Sequence, residues 1–305
     1  MRVVGIGQCS WDYLATLDTF PAVDTKKEVG DWQEQGGGPV ATALVALSRL
    51  GISCNFHGAI GDDPEGRKIR ESLHGEGVET AGLMVRKHAV SQKAFIAIER
   101  GSAKRTIFWQ RPTGTPLLAE ELPETFLDDC GFLLLDGLMA DVSLFAARTA
   151  RKRGIPVMLD AGKVRPGMLE VAAHCDYVVA SEQFALDLGW DGIADSFREE
   201  AGRLRAPVVT ITLGERGSIT FQDGDTMTIP AFPVDALDTT GAGDVFHGGY
   251  IFGLLHGLAL ADTIRFASAA AAMNCTGIGG RSGIPGLTEA LDFLATRGFI
   301  LQLSR

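Results

Sequence analysis

From Gly131 onward, short apolar runs alternate with helix-period segments, and this alternation is the tightest constraint on what the chain can fold into. Residues 132–136, 156–160, 177–180 and 208–212 read as buried strands. Residues 142–153 and 197–205 read as helices, and the Ala-rich stretch 263–274 as another. Strands that are apolar throughout and alternate with helices predict a parallel sheet covered by helices. At 305 residues the chain suits one large α/β unit, and it shows no internal repeat or low-complexity linker.

The N-terminal part is patterned differently. Residues 3–7 read as a buried first strand, but Gly5 and Gly7 lack the third glycine of a dinucleotide fingerprint. Asp12 falls just past that strand, where α/β sheets bind ligands; it is a ligand contact or a solvated loop acid. Residues 13–34 alternate loosely around Pro21, as exposed strands do. Gly36-Gly37-Gly38-Pro39 opens a helix that Gly51 stops. Residues 54–60 form a strand, and Asp63 caps the next helix with Pro64 at its first position. Residues 93–99 and 105–109 read as a hairpin around a glycine-containing loop.

The chemistry concentrates in D-T-T-G-A-G-D, residues 238–244, which feeds an apolar run up to Leu255. Such a pattern is a loop entering a helix N-terminus, where unpaired N–H groups and the helix dipole favour an anion. Glycines there let the backbone approach a phosphate closely. Asp244 beside such a hole can accept a proton from an attacking hydroxyl while the amides hold the phosphoryl charge. The plainer alternative is an early-helix acid after a turn.

Extended through Phe246, Gly248 and Gly249, this segment resembles the C-terminal signature of the ribokinase-like (PfkB) carbohydrate kinases. A looser resemblance covers nearly the whole chain. It implies a ribokinase-like three-layer α/β/α fold with a mostly parallel central sheet. Residues 1–305 would be a single kinase domain, with a small β lid from about 13–35 and 93–111. The implied activity is ATP-dependent phosphorylation of a hydroxyl on a small sugar or sugar derivative. Asp244 would be the base, with Gly241, Ala242 and Gly243 forming the anion hole. Asp12, Gly37, Gly38 and Thr42 would meet the substrate, Thr42 standing where the family usually has asparagine. Trp109 is a further pocket candidate, and Lys27 and Arg111 are candidate anion readers.

The T-L-G-x-x-G segment resembles the family's nucleotide strip, which puts Thr212, Gly214 and Gly217 beside ATP, with Gly241, Gly243 and Asn274. Without the resemblance it is a turn between two strands. Asp238, Thr240, Gly280 and Ser282 would surround a monovalent cation. ATP and Mg²⁺ are the implied cofactors, and K⁺ is left open. The family's N-x-x-E motif is broken, since Ser181 and Phe184 replace its asparagine and acid. Glu182 either takes over the Mg²⁺ water shell or is a helix-start acid. Asp160 is a phosphate-side group or a strand terminator. R-F-A-S, C-T and G-G-R-S-G-I-P look close to the sulfofructose and ketose kinase branch. Lid edges in this family often pair between subunits, which implies a homodimer through the lid.

A net charge of −10 argues against nucleic-acid binding. The five cysteines are scattered without a CxxC pair, as expected of reduced thiols in a cytoplasmic protein. No signal segment precedes the first strand and no apolar run reaches membrane-spanning length. The P-loop motif G-x-x-x-x-G-K-[ST] is lacking, so the 241–243 loop would hold the phosphate. Rival readings are a nucleoside kinase of the same fold, a sugar- or nucleotide-binding regulator that has lost turnover, and a nicotinamide-dependent dehydrogenase.

Overall fold

A computed structural model describes residues 2–193 and 196–303. Its strands, in chain order, are Arg2–Ile6 (β1), Ser10–Leu17 (β2), Trp32–Gly37 (β3), Ser53–Gly61 (β4), Val78–Arg86 (β5), Lys93–Glu99 (β6), Lys104–Gln110 (β7), Cys130–Leu135 (β8), Val157–Ala161 (β9), Tyr177–Ser181 (β10), Val208–Thr212 (β11), Ser218–Gln222 (β12) and Asp225–Ile229 (β13). The helices are Pro39–Arg49 (α1), Pro64–Gly75 (α2), Ala140–Lys152 (α3), Met168–Ala172 (α4), Glu182–Asp187 (α5), Phe197–Arg203 (α6), Ala242–Leu255 (α7), Leu260–Asn274 (α8) and Leu287–Ala295 (α9).

The alternation read after Gly131 becomes one wing of a large sheet, ordered β13-β12-β11-β10-β9-β8-β1-β4-β5. From β11 to β5 every neighbouring pair is parallel, and the β12–β13 hairpin adds an antiparallel edge. The chain starts in β1, fills one side with β4 and β5, then crosses to β8 and fills the other. β1 is therefore the topological switch point, and the crevice for a ligand lies beyond its carboxyl end. Parallel pairing also brings the ends of β8, β9, β10 and β11 to that same edge.

Helices cover both faces. One apolar core packs α1, α7 and α8 against the sheet, and a second gathers α3, α4, α5 and α6 on the opposite face. The three-layer α/β/α expectation holds. Helix α7 is buried on nearly all sides, and glycines make that possible. A Cβ at Gly248 would stand 2.7 Å from the Ala43 carbonyl of α1, and one at Gly249 would stand 2.8 Å from Ala267 Cα of α8. Bare backbone at both positions lets two helices close on α7 from either side.

The remaining strands form a second, four-stranded sheet, β3-β2-β6-β7. The expected hairpin is β6–β7. One expectation needs correcting. Residues 13–34 are not simply exposed strands: β2 is mostly buried, and 18–31 form a loop rather than strand. β2 is central, paired with β3 on one side and β6 on the other, and its Leu14 packs with Ala94, Ile96 and Ile98. Exposure falls instead on β7, whose residues are all exposed, including Ile107, Phe108 and Trp109. Phe95 stacks between Phe108 and Trp32, and Phe20 stacks on Phe108. Asp63 does cap α2, accepting from Gly66 N at 2.9 Å.

Candidate active site

Gly241 has φ of 72°, the left-handed conformation that swings the chain into α7. A Cβ there would lie 2.6 Å from the Gly280 carbonyl, so glycine is needed for both torsion and space. Val245 N returns to Gly241 O, whereas the amides of Gly243 and Asp244 stand in the first turn without an intrahelical acceptor. A Cβ at Gly243 would meet no protein atom, so the approach to that amide is open. Helix end, bare glycine and free amides make an anion cradle.

Asp244 begins the acidic part of the site, half-buried in the first turn of α7. Burial raises its pKa well above the usual carboxylate range, the Asp160 charge raises it further, and Arg105 and Arg281 pull it back. Asp160 ends β9 on the same edge, and its Oδ1 lies 3.6 Å from His247 Nε2. Burial raises Asp160 as well, while His247 lowers it. Asp160 thus lies among the acids at the carboxyl edge of the sheet. Asp136, just past β8, is pushed up to about 7 by burial, partly offset by the N–H groups of Gln8 and Leu138, which its oxygens accept at 2.6 and 3.0 Å. Acids that raise one another's pKa at a ligand edge fit a site built to receive a cation or a proton.

Asp12 lies in β2 and is buried, with Ser10 Oγ donating to its Oδ1 at 2.8 Å. Burial raises its pKa, opposed by Ser10 and Arg281. The glycine run 36–38 is packed on all sides by the site. A Cβ at Gly37 would fall 2.0 Å from Asp12 Oδ2, and one at Gly36 would fall 2.3 Å from Arg281 Nη1. Gly38, with φ of 95°, leaves room for Gln8 and Cys9 in the loop after β1. Arg281 is buried, and it donates to Thr42 Oγ1, Ser72 Oγ and the Gly37 carbonyl at 3.2–3.3 Å. Desolvation lowers its pKa to about 10. Asp12, Gly37, Gly38 and Thr42 are thus brought together, with Arg281 behind them.

Trp109 and Arg111 are also brought together, as the guanidinium sits 4.9 Å from the indole centroid. Both line a cleft of about 180 Å³ with Gln8, Cys9, Gln92 and Met139. Lys27 does not join them. It lies in the exposed loop after β2, 3.4 Å from Thr19 Oγ1.

The loop around Asp238 is tightly tied. Asp238 Oδ1 accepts from Thr240 N and Oγ1, and Oδ2 accepts from Gly279 N at 2.7 Å. Asn274, expected beside the nucleotide, is fully buried under the loop, and its amide donates to the Thr240 carbonyl at 3.1 Å. Its Oδ1 is a buried acceptor without a partner. An unpartnered buried oxygen is a group that a bound cation or water would satisfy. Gly214 and Gly217 shape the β11–β12 turn, both with positive φ, and Thr212 ends β11 at the same edge. Ser181 caps α5, accepting from Phe184 N. Glu182 is ion-paired with Arg216 at 2.5 Å. Among the described residues no cluster of three or more metal-ligating side chains is present. Mg²⁺ bound through phosphates, water and one or two carboxylates does not require one.

Sequence reasoning missed three residues. Arg105 reaches from β7 to Thr239, Arg281 lies behind Asp12, and His247 faces Asp160. Only His247 carried a local signal, one turn after Asp244. The two arginines come from segments far from the acids they influence.

The chain matches the pfkB family carbohydrate kinase model over residues 1–286. Among curated relatives, the ribokinase of Haemophilus influenzae is 28% identical over 300 residues, covering 95% of this chain and 97% of that one. The nucleoside kinase of Methanothermobacter thermautotrophicus is 26% identical over 306 residues, covering 97% of each. Among solved structures, ribokinase from Thermotoga maritima superposes with a TM-score of 0.81 at 24% identity, covering 96% of this chain and 99% of that one. A Burkholderia thailandensis nucleoside kinase bound to inosine gives 0.80 at 20% identity, covering 98% and 99%. With a family match across nearly its whole length, this chain belongs to the pfkB family of carbohydrate kinases.

Proposed function

We propose that the enzyme transfers the γ-phosphoryl group of ATP to a hydroxyl of a small sugar or sugar derivative, within one kinase domain whose lid is the β3-β2-β6-β7 sheet. The observation that carries this is Asp244 in the first turn of α7, half-buried beside free amides and an open Gly243. Asp12 accepts hydroxyl protons of the sugar, and Gly37, Gly38 and Thr42 shape its bed. Asp244 takes the proton of the attacking hydroxyl, while the Gly241–Asp244 turn holds the charge that develops on phosphorus-bound oxygen. Mg²⁺ would neutralise charge on the phosphates when bound, and Asp160 and Glu182 are the acids that would hold it, directly or through water. Thr212, Gly214 and Gly217 line the nucleotide's path, and Asp238, Thr240, Gly280 and Ser282 hold K⁺. Trp109 and Arg111 close the far end of the sugar site.

An ADP-release screen over neutral sugars, sugar acids, sulfonated sugars, polyols and nucleosides, with Mg²⁺ present, tests the reading. Turnover of a sugar is the expected result. A preference for nucleosides, for which Trp109 would serve as a stacking surface, would replace it. Binding without ADP release across the panel would make the chain a regulator.

The broken N-x-x-E motif gives a separate prediction. Glu182→Gln should raise the Mg²⁺ concentration for half-maximal rate and leave sugar affinity unchanged. An unmoved Mg²⁺ titration would reduce Glu182 to its Arg216 ion pair, an exposed contact worth about 0.2–1 kcal/mol.

The stack of exposed Phe20, Trp32 and Phe108 around half-buried Phe95 supports a homodimer through the lid. Light scattering giving a monomer mass at micromolar concentration would refute it. Five unpaired cysteines support a cytoplasmic setting.

A further inference from the structure

Behind the sugar bed stands a buried cation with no acid against it. Arg281 is 4% exposed, and desolvation lowers its pKa only to about 10, so it stays charged at neutral pH. A buried charge is costly unless it is paired and hydrogen-bonded. Yet among the described residues Arg281 forms no ion pair. Its three side-chain hydrogen bonds, to Thr42 Oγ1, Ser72 Oγ and the Gly37 carbonyl, go to neutral oxygens at 3.2–3.3 Å. Glu76, whose field it feels, gives both its oxygens to Arg49, at 2.6 and 2.9 Å. The fold nonetheless clamps Arg281. Its N–H donates to Gln35 Oε1 at 2.9 Å, and its carbonyl accepts from Arg49 Nη1 at 2.8 Å. Gly36 is bare where a Cβ would run into Nη1.

Two consequences reach the sugar. The first concerns Thr42. A hydroxyl that accepts from Arg281 Nε keeps its own proton to give, and among the described residues no protein oxygen takes it. Thr42 is left as a donor. The second concerns Asp12. Burial raises its pKa, and Ser10 and the charge of Arg281 oppose that rise. Asp244 on α7 is a like charge within reach, and Cys9 is a neutral thiol, pushed up to about 12 by burial. Glu34, Glu65, Lys68 and Lys93 gather instead around Trp11 and Tyr13, on the opposite face of β2.

We propose that Arg281 is a positioning residue that sets the hydrogen-bond polarity of the sugar bed: it makes the Thr42 hydroxyl a donor and, as the buried positive charge beside Asp12, keeps that side chain an acceptor. This rests on the reading of Asp12 as a sugar contact. The ligand that fits is a polyol face with two hydroxyls, one donating to Asp12 and the other accepting from Thr42. Arg281 itself touches no reacting atom.

The test is calorimetric binding of the best sugar from the screen across a pH series, in the full chain carrying Asp244→Asn so that the base does not titrate. Adding Arg281→Met should weaken the sugar by about tenfold or more at neutral pH and leave ATP within about threefold. Without the guanidinium, Asp12 takes up its proton at higher pH, so the loss of sugar affinity on acidification should begin at higher pH than in the parent. A merely structural role would lower affinity and leave that onset in place. Arg281→Lys keeps the charge without the planar fork, so it should keep the onset and recover part of the affinity. Thr42→Val removes the donor alone and should weaken the sugar without moving the onset. Parent affinity in Arg281→Met, an onset that does not move there, or parent affinity in Thr42→Val overturns the proposal. Should Arg281→Met not fold, unchanged sugar affinity in Arg281→Lys and Thr42→Val overturns it. Asp12→Asn separates the two levels. If it binds sugar normally, the proposal falls together with the reading of Asp12. If it weakens the sugar while Arg281→Met does not, only Arg281 loses its role.

Discussion

Asp244→Asn should cut kcat by about 10² or more while leaving the fold and nucleotide affinity intact. Asparagine keeps the shape and cannot take the proton, so the loss reads the base alone. The same variant should change stability in a direction set by burial. Asp244 has a raised pKa in the folded protein, so its protonated form favours folding at acid pH, and that contribution is lost as pH rises through the folded value. At neutral pH the wild-type chain buries an unfavourable charge among Asp160 and Asp12, and the amide removes it. Melting temperature should therefore rise in Asp244→Asn near neutrality and converge with wild type in acid. In the wild type, the rate should climb with pH as Asp244 loses its proton. Near-normal turnover in the variant would remove Asp244 from the role of base, and a melting temperature that falls at neutral pH would show that its charge does not destabilise the fold.

The fold was legible because its signals are local. The alternation after Gly131 and the Gly38-Pro39 helix start depend on neighbours in sequence, and they correspond to β8–β11 and α1 within a few residues. β5 carries no strand signal, because an edge strand reading V-E-T-A-G-L-M-V-R buries only Val78 and Leu83 and leaves no apolar run. The burial of β2 does not follow from its own residues, because burial of a strand depends on what pairs with it, and its partners β3 and β6 lie in separate segments. The site divides in the same way. Asp244 and its glycines form one contiguous motif and could be read directly. Arg105 and Arg281 act on Asp244 and Asp12 only through folding, and no spacing rule links position 105 to 239 or 281 to 42.

The sugar side makes the second large prediction, through two opposite substitutions. Asp12→Asn removes the charge and keeps the Ser10 contact at Oδ1. Losing a charged hydrogen-bond acceptor for substrate hydroxyls costs about 1.5–3 kcal/mol, so sugar affinity should fall by about 10–150-fold. Gly37→Ala leaves Asp12 in the sequence but places a methyl group where Asp12 Oδ2 now sits, 2.0 Å away, far inside van der Waals contact. The carboxylate must then turn out of its position, and the sugar should weaken by a similar factor. Neither change touches the anion cradle at Gly241 and Gly243, so ATP affinity should stay within about threefold in both. Agreement between a variant that lacks the charge and one that only displaces it would separate the position of Asp12 from its mere presence. If sugar and ATP weaken together, alongside a large drop in melting temperature, the pair would instead report damage to β2 and β3, and Asp12 would lose its place at the substrate.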